Sequence, residues 1–125
     1  MQELAAVKLT VQHSRFFAHL YNLEKTDEIT DIIKSHRRSY KKANHHCYAL
    51  RLFNNSNQQI IESFKDDGEV GHPGRVLLEI LKKHNLDQHV LIVSRIFGGI
   101  KLGVGGVSRA FRDVGEGVVE QYKSS

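Results

Sequence analysis

An α+β fold, a β-sheet with helices packed on one face, is predicted by three features of this 125-residue chain. Apolar residues recur with period two in some stretches and with a helical period in others, in the order β-β-α-β-β-α-β-α. Polar or glycine-containing turn clusters separate these stretches. One block, Val90-Leu91-Ile92-Val93, is apolar at every position, which marks a strand buried in the middle of a sheet.

Each element follows from its pattern. From Ala6 to His13, Val7, Leu9 and Val11 alternate with Lys8, Thr10 and Gln12, as in a half-buried strand. Ser14 to Tyr21 reads as a second strand, rich in aromatics that suit a pleated surface. Thr26 is expected to cap a helix with Asp27 and Glu28 in its first turn. Its apolar stripe is Ile29, Ile32, Ile33 and His36, and Lys34, Arg37 and Arg38 lie toward its C-terminus. His46 to Phe53 and Gln59 to Phe64 form a strand pair around Asn54-Asn55-Ser56-Asn57. Pro73 opens a second helix, running to about His84, with Val76, Leu77, Ile80 and Leu81 inward. The strand His89 to Ile96 leads through glycines into a last helix striped by Val107, Ala110, Phe111, Val114, Val118, Val119 and Tyr122. Gly115 and Gly117 weaken that helix by about 1 kcal/mol each, so close packing against the sheet is expected there.

Length and a 40% hydrophobic content suit one domain spanning residues 1–125, able to bury a core without staples. The lone Cys47 excludes an internal disulfide framework, and the N-terminus lacks a signal-peptide layout. No apolar run approaches the roughly 18 residues of a membrane helix. A cytoplasmic protein without membrane contact is the expectation, and the oligomeric state is left open.

Charge is segregated within the net +4. From Ile32 to Ile61 there is no acidic residue, while Lys34, Arg37, Arg38, Lys41, Lys42 and Arg51 are all cationic. Such a window favours a polyanion such as RNA, or an acidic protein surface, or is simply a solvated helix end. Tyr40 within it and Tyr48 beyond it add stacking surfaces.

Five of the ten glycines fall between Gly98 and Gly106, flanked by Arg95 and Arg109. Gly98, Gly99, Gly103, Gly105 and Gly106 either expose amides that receive an anion, with Arg95, Lys101 and Arg109 neutralising it, or permit a tight strand-to-helix crossover. The absence of Gly-Lys-Ser/Thr excludes a P-loop, and the position in the chain does not suit a dinucleotide fingerprint. A second loop, Asp66-Asp67-Gly68-Glu69 followed by Gly71, His72 and Gly74, places three carboxylates within four residues. They serve as turn, helix-cap or arginine partners, or as ligands of a hard cation, although the spacing is not that of a calcium loop. His45 and Cys47 share one strand face and His46 the other, and with no further ligand pair the sequence predicts neither a zinc site nor any cofactor.

Ser14-Arg15-Phe16, His45-His46-Cys47, the acidic loop, and Arg95 through Ala110 together resemble the IMPACT family, which includes the bacterial YigZ-type proteins. The resemblance runs from about His13 to Val119. It implies a fold similar to the second domain of ribosomal small-subunit protein five, nucleic-acid or nucleotide binding, and a role in regulating translation. The eukaryotic members compete with a stress-responsive initiation-factor kinase for its activating partner. Here Val70-Gly71-His72-Pro73 shortens the family's acidic loop by one residue and puts His72 where a threonine is usual. The chain also shows neither the N-terminal partner-binding domain of the eukaryotic members nor the C-terminal ferredoxin-like domain of the bacterial ones. The leading expectation is a small binding protein, more a regulator than an enzyme, which contacts RNA, the ribosome or a translation factor. The alternative is a phosphate- or nucleotide-binding hydrolase or transferase built on the Asp66–Gly74 and Gly98–Gly106 loops, with Asp67 or Glu69 as base.

Overall fold

A computed structural model describes all residues, 1–125. The elements are β1 (Gln2–Val11), β2 (Ser14–Asn22), α1 (Glu28–Ser39), β3 (His45–Asn54), β4 (Gln59–Lys65), α2 (Pro73–Lys83), β5 (His89–Ile96) and α3 (Gly103–Ser124). The strands form one sheet in the order β1-β2-β5-β3-β4, and every neighbouring pair is antiparallel. The class and the element order are those the periodicities predict. β5 is indeed the central strand, with Val90 through Arg95 all buried.

Pleating sends alternate β5 residues to two different cores. Leu91 and Val93 join Phe16, Leu20, Cys47 and Ala49 beneath α2 and α3, in a cluster of 19 buried residues. Val90 and Ile92 join Leu23, Ile32 and Leu50 in a cluster of five. The helices are therefore not all on one face: α2 and α3 cover the larger core, and α1 covers the opposite side. The sequence supplies an apolar stripe for α1 but not its face, which is set by the crossover from β2 over β5 to β3.

Two local expectations also change. Asp27, not Thr26, occupies the N-cap of α1, and neither side chain caps it. Glu28 instead accepts the amides of Glu24 and Lys25 at 2.8 Å each and the N-terminal ammonium of Met1 at 2.8 Å. The N-terminal ammonium and those two amides hold its carboxyl down at about 2. Gly115 packs chiefly against α2, since an added Cβ would lie 2.7 Å from Ile80 Cδ1 and 3.2 Å from Leu77 Cδ2. The smaller side chain lets the two helices approach over Leu91.

The strand registers bring four connections to one end of the sheet. Val11 pairs with Ser14, Arg15 with Ile96, His45 with Arg95, and Tyr48 with Lys65. The β1–β2 turn, the α1–β3 connection, the acidic loop and the glycine-rich loop consequently lie side by side.

Candidate functional site

Ser14, fully buried at the start of β2, ties two of these segments together. Its Oγ accepts Arg95 Nη2 at 3.3 Å and the amide of Gly98 at 3.2 Å. Asn44, just before β3, donates its amide to the Arg95 carbonyl at 2.8 Å, and its Oδ1 accepts the amide of Phe97 at 2.9 Å. Gly98 sits so tightly on the β1–β2 turn that a Cβ would come within 2.1 Å of the His13 carbonyl carbon. That glycine is there for close approach.

The acidic loop is fastened to β3 and β5 by its own carboxylates. Asp66 Oδ1 accepts the amide of Gly74 at 2.8 Å, which satisfies an orphan donor in the first turn of α2, where Pro73 has none to offer. Asp67 Oδ2 accepts the amide of His46 at 2.8 Å. His45 Nδ1 donates to the Asp67 carbonyl at 2.9 Å, which fixes its tautomer, and Cys47 Sγ donates to the Asp66 carbonyl at 3.1 Å. Arg95 Nη1 donates to both oxygens of Glu69, at 3.0 and 2.9 Å. The carboxylates thus act as caps and partners, so Asp67 and Glu69 are engaged where the enzymatic alternative needs a free base. No His, Cys, Asp or Glu group is arranged to hold a metal ion.

Burial pushes the Cys47 thiol well above its ordinary range, and nearby Glu69 adds to the effect. Cys47 is a fully buried residue of the larger core. His72, left-handed at φ 54°, lines a hollow of about 430 Å³ between α2 and α3 with Arg75, Ser108 and Arg112.

The glycines of the loop differ in their surroundings. Gly98 is closely packed, but an added Cβ at Gly99, Gly103 or Gly105 would meet nothing within 4 Å. Gly103, at φ +74°, is the residue whose backbone demands glycine as α3 begins. The amides of Gly103, Val104 and Gly105 make none of the hydrogen bonds found outside the regular ladders. The start of α3 lies next to the acidic loop: a Cβ on Gly71 would stand 3.0 Å from the Val104 carbonyl oxygen. The predicted cations split, with Arg95 and Lys101 lining one hollow and Arg109 another. Arg95 is consumed by Glu69, Lys101 is exposed on the loop, and Arg109 lies on the side of α3 that faces Gln12 in the β1–β2 turn.

The basic window gathers more tightly than its sequence shows. Arg38, Lys41 and Lys42 line a hollow of about 450 Å³ with Arg15, Phe17 and Tyr40. Phe17 and Tyr40 stack with centroids 4.4 Å apart and 22° between planes. Lys34 and Arg37 are exposed on α1 outside this hollow.

Sequence reading missed a polar cluster beneath α1. Ser94 Oγ lies 2.8 Å from His36 Nδ1 and 2.7 Å from His46 Nδ1, and His36 Nε2 lies 3.2 Å from the Tyr21 hydroxyl. His19 bridges Tyr40, at 2.6 Å, and Glu3. Burial, with His19 and His46 close by, holds His36 down at about 3, and burial likewise lowers His46. Burial raises Tyr21 to about 12. The helical stripe placed His36 inward, but partners 48 and 58 residues apart leave no local signal.

Fold and loop end together define an α+β domain with a loop-borne cationic surface. The chain belongs to the Impact N-terminal domain family, whose model matches residues 12–119. It is 35% identical over 120 residues to the IMPACT family member YvyE of Bacillus subtilis, covering 94% of this chain and 54% of that protein. It is 36% identical over 104 residues to an IMPACT family member of Thermus thermophilus, covering 83% and 54%. Protein IMPACT of Rattus norvegicus is 31% identical over 97 residues, covering 76% and 30%. The chain thus spans about half the length of its bacterial relatives. Among solved structures, a hypothetical protein superposes with a TM-score of 0.82 at 27% identity, over 97% of this chain and 62% of that one. The two-domain translational regulator Yih1 superposes with a TM-score of 0.63 at 20% identity, over 96% and 46%, and shares the fold. No helix is long and apolar enough to cross a membrane.

Proposed function

We propose that this chain is a cytoplasmic, translation-linked regulator that binds single-stranded RNA at the loop-bearing end of its sheet. The observation that carries the reading is the hollow in which Arg15, Arg38, Lys41 and Lys42 surround the stacked Phe17–Tyr40 pair with no acidic residue in its lining. Cations that track phosphates beside aromatic faces that stack bases are the means by which proteins hold single strands. The likeness of fold to a two-domain translational regulator, and the kinship with Protein IMPACT, support the link to translation. Ribosomal RNA and translation factors are the partners this reading brings into view.

Filter binding of a short oligouridine across a salt series tests it. Affinity should fall with salt by a slope of about 0.7 per neutralised phosphate on a log–log plot. Arg38→Ala with Lys41→Ala should make that slope shallower. Binding that ignores salt, or that survives the double substitution unchanged, refutes the reading.

A further inference from the structure

Half of the large hydrophobic residues left exposed by this fold stand around the entry to α3. They are Val70, Phe97, Ile100 and Val104, while Ile60, Ile61 and Phe64 lie on the edge strand β4 and Met1 is terminal. Val70, Phe97, Leu102, Val104 and Val107 enclose a hollow of about 360 Å³ whose polar members are Arg95 and Lys101. Val104, in the first turn of α3, is 61% exposed. A helix start has no structural need of a valine there, and an apolar rim of this kind marks a contact surface.

Three observations specify what the hollow accepts. Arg95, only 6% exposed, lines it and keeps a buried Nε with no hydrogen-bond partner, although its other nitrogens serve Glu69 and Ser14. The guanidinium in that wall therefore has donor capacity that no group of the protein uses. Gly103 and Val104 of the first turn of α3 line it, the amides of Gly103, Val104 and Gly105 make no loop or turn hydrogen bond, and the positive end of the α3 dipole adds to the charge of Lys101. Glu69 is already paired with Arg95, so the field at the rim favours an anion. The walls are four aliphatic side chains and one phenylalanine. Such walls suit an aliphatic or aromatic side chain and offer little to the hydrogen-bonding edge of a nucleobase.

From this we infer that the hollow docks an acidic-hydrophobic peptide segment of a partner protein. One apolar side chain enters between Phe97 and Val104, and an adjacent carboxylate rests on the α3 amides and Lys101. This surface is separate from the Arg38–Lys42 groove and goes beyond the RNA reading. The two stand or fall independently.

Selection from a random peptide display library against the full chain, followed by titration of enriched peptides into the ¹⁵N-labelled protein, tests the inference. Enriched peptides should carry Asp, Glu or a free C-terminus within two residues of an aliphatic or aromatic side chain. They should shift the amides of Gly103, Val104 and Gly105. Val104→Glu and Lys101→Glu, both at exposed positions, should each weaken binding by about tenfold, with unchanged circular dichroism. Arg38→Ala should leave peptide affinity as it was. The inference is overturned if no peptide is enriched over the Val104→Glu protein, if enriched peptides lack a carboxylate, or if they shift other amides. It is also overturned if oligouridine moves the α3 amides and peptides do not, since the hollow then belongs to RNA.

Discussion

Arg95 on β5 and Glu69 in the acidic loop hold each other through one guanidinium nitrogen and both carboxylate oxygens, with side chains only 7% and 3% exposed. The guanidinium carbon lies 5.3 Å from the Phe16 ring centre and 5.8 Å from that of Phe97. The same side chain reaches Ser14 at the start of β2. The pair therefore fixes the acidic loop relative to the glycine-rich loop, and the hollow at the entry to α3, which both loops line, depends on it.

Removing one partner should cost more than removing both. Glu69→Ala leaves the Arg95 cation buried without its counter-charge, a change that costs about 3–5 kcal/mol. In Arg95→Met with Glu69→Leu no buried charge remains, and much of that loss should return. Urea unfolding of the two variants checks this. Equal destabilisation of both would show that the pair does not govern the stability of this end.

Tyr40 separates stacking from packing in the RNA reading. Tyr40→Phe keeps the ring against Phe17 and loses only the hydroxyl contact with His19. Tyr40→Ala removes the stacking face and should cost about 1–3 kcal/mol of oligouridine affinity. Lys34→Ala, outside the groove, should change affinity least of the basic-window substitutions. A ranking in which Lys34 outweighs Tyr40 would move the RNA surface to the exposed side of α1.

Acid should begin to destabilise the fold through its buried histidines. His36 sits at about 3 in the folded chain against an ordinary 6.5, and His46 is lowered in the same direction. Around His36 stand His19 and Tyr21 on β2, His46 on β3, Ser94 on β5 and Tyr40 beyond α1, with no carboxylate bonded to it. Above pH 6.5 both folded and unfolded chains carry these rings neutral, and stability does not depend on them. As pH falls below 6.5 the unfolded chain takes up protons that the folded chain refuses, so stability drops toward pH 3, by an amount on the order of a few kcal/mol. Glu28 and Glu116, both lowered, add their loss only below their ordinary 4.5. Chemical denaturation between pH 7 and 5 isolates the histidines. His36→Gln, which cannot titrate, should flatten that segment, and an unchanged slope would exonerate His36.

Where sequence reading succeeded and where it failed follows from the range of the interactions. Strand β5 announces its central place because both of its faces are buried, so Val90 through Val93 carry no alternation. The helical stripes of α2 and α3 are equally visible, since packing demands them locally. The face chosen by α1 is invisible, because an apolar stripe looks the same on either side of a sheet. Loop adjacency is hidden for a like reason: Glu69 and Arg95 are 26 residues apart, and only the register of β3 on β5 brings them together. The quoted family motifs become intelligible at this end, where Ser14 holds Gly98 and Arg95, and His45, His46 and Cys47 each bind the acidic loop.

Close packing accounts for one glycine of the loop, backbone conformation for another and neither of these for a third, and alanine substitution should separate them. At Gly98 a Cβ would overlap the main chain of His13 and Ser14 at 2.1–2.4 Å, and a strand-turn backbone cannot yield as a side chain can. Gly98→Ala should therefore cost about 3 kcal/mol or more and loosen the β1–β2 turn. At Gly103 space is free but φ is +74°, so alanine is strained by about 1 kcal/mol. Gly105 has neither constraint: its φ is not positive, nothing lies within 4 Å, and it sits inside the first turn of α3. Gly105→Ala should stabilise the protein by about 0.4–1 kcal/mol. The added Cβ would project into space from which a ligand approaches that turn of α3. The same substitution should accordingly weaken binding of the acidic peptides while raising the unfolding midpoint, and a gain in stability with peptide affinity untouched would separate that amide from the docking site.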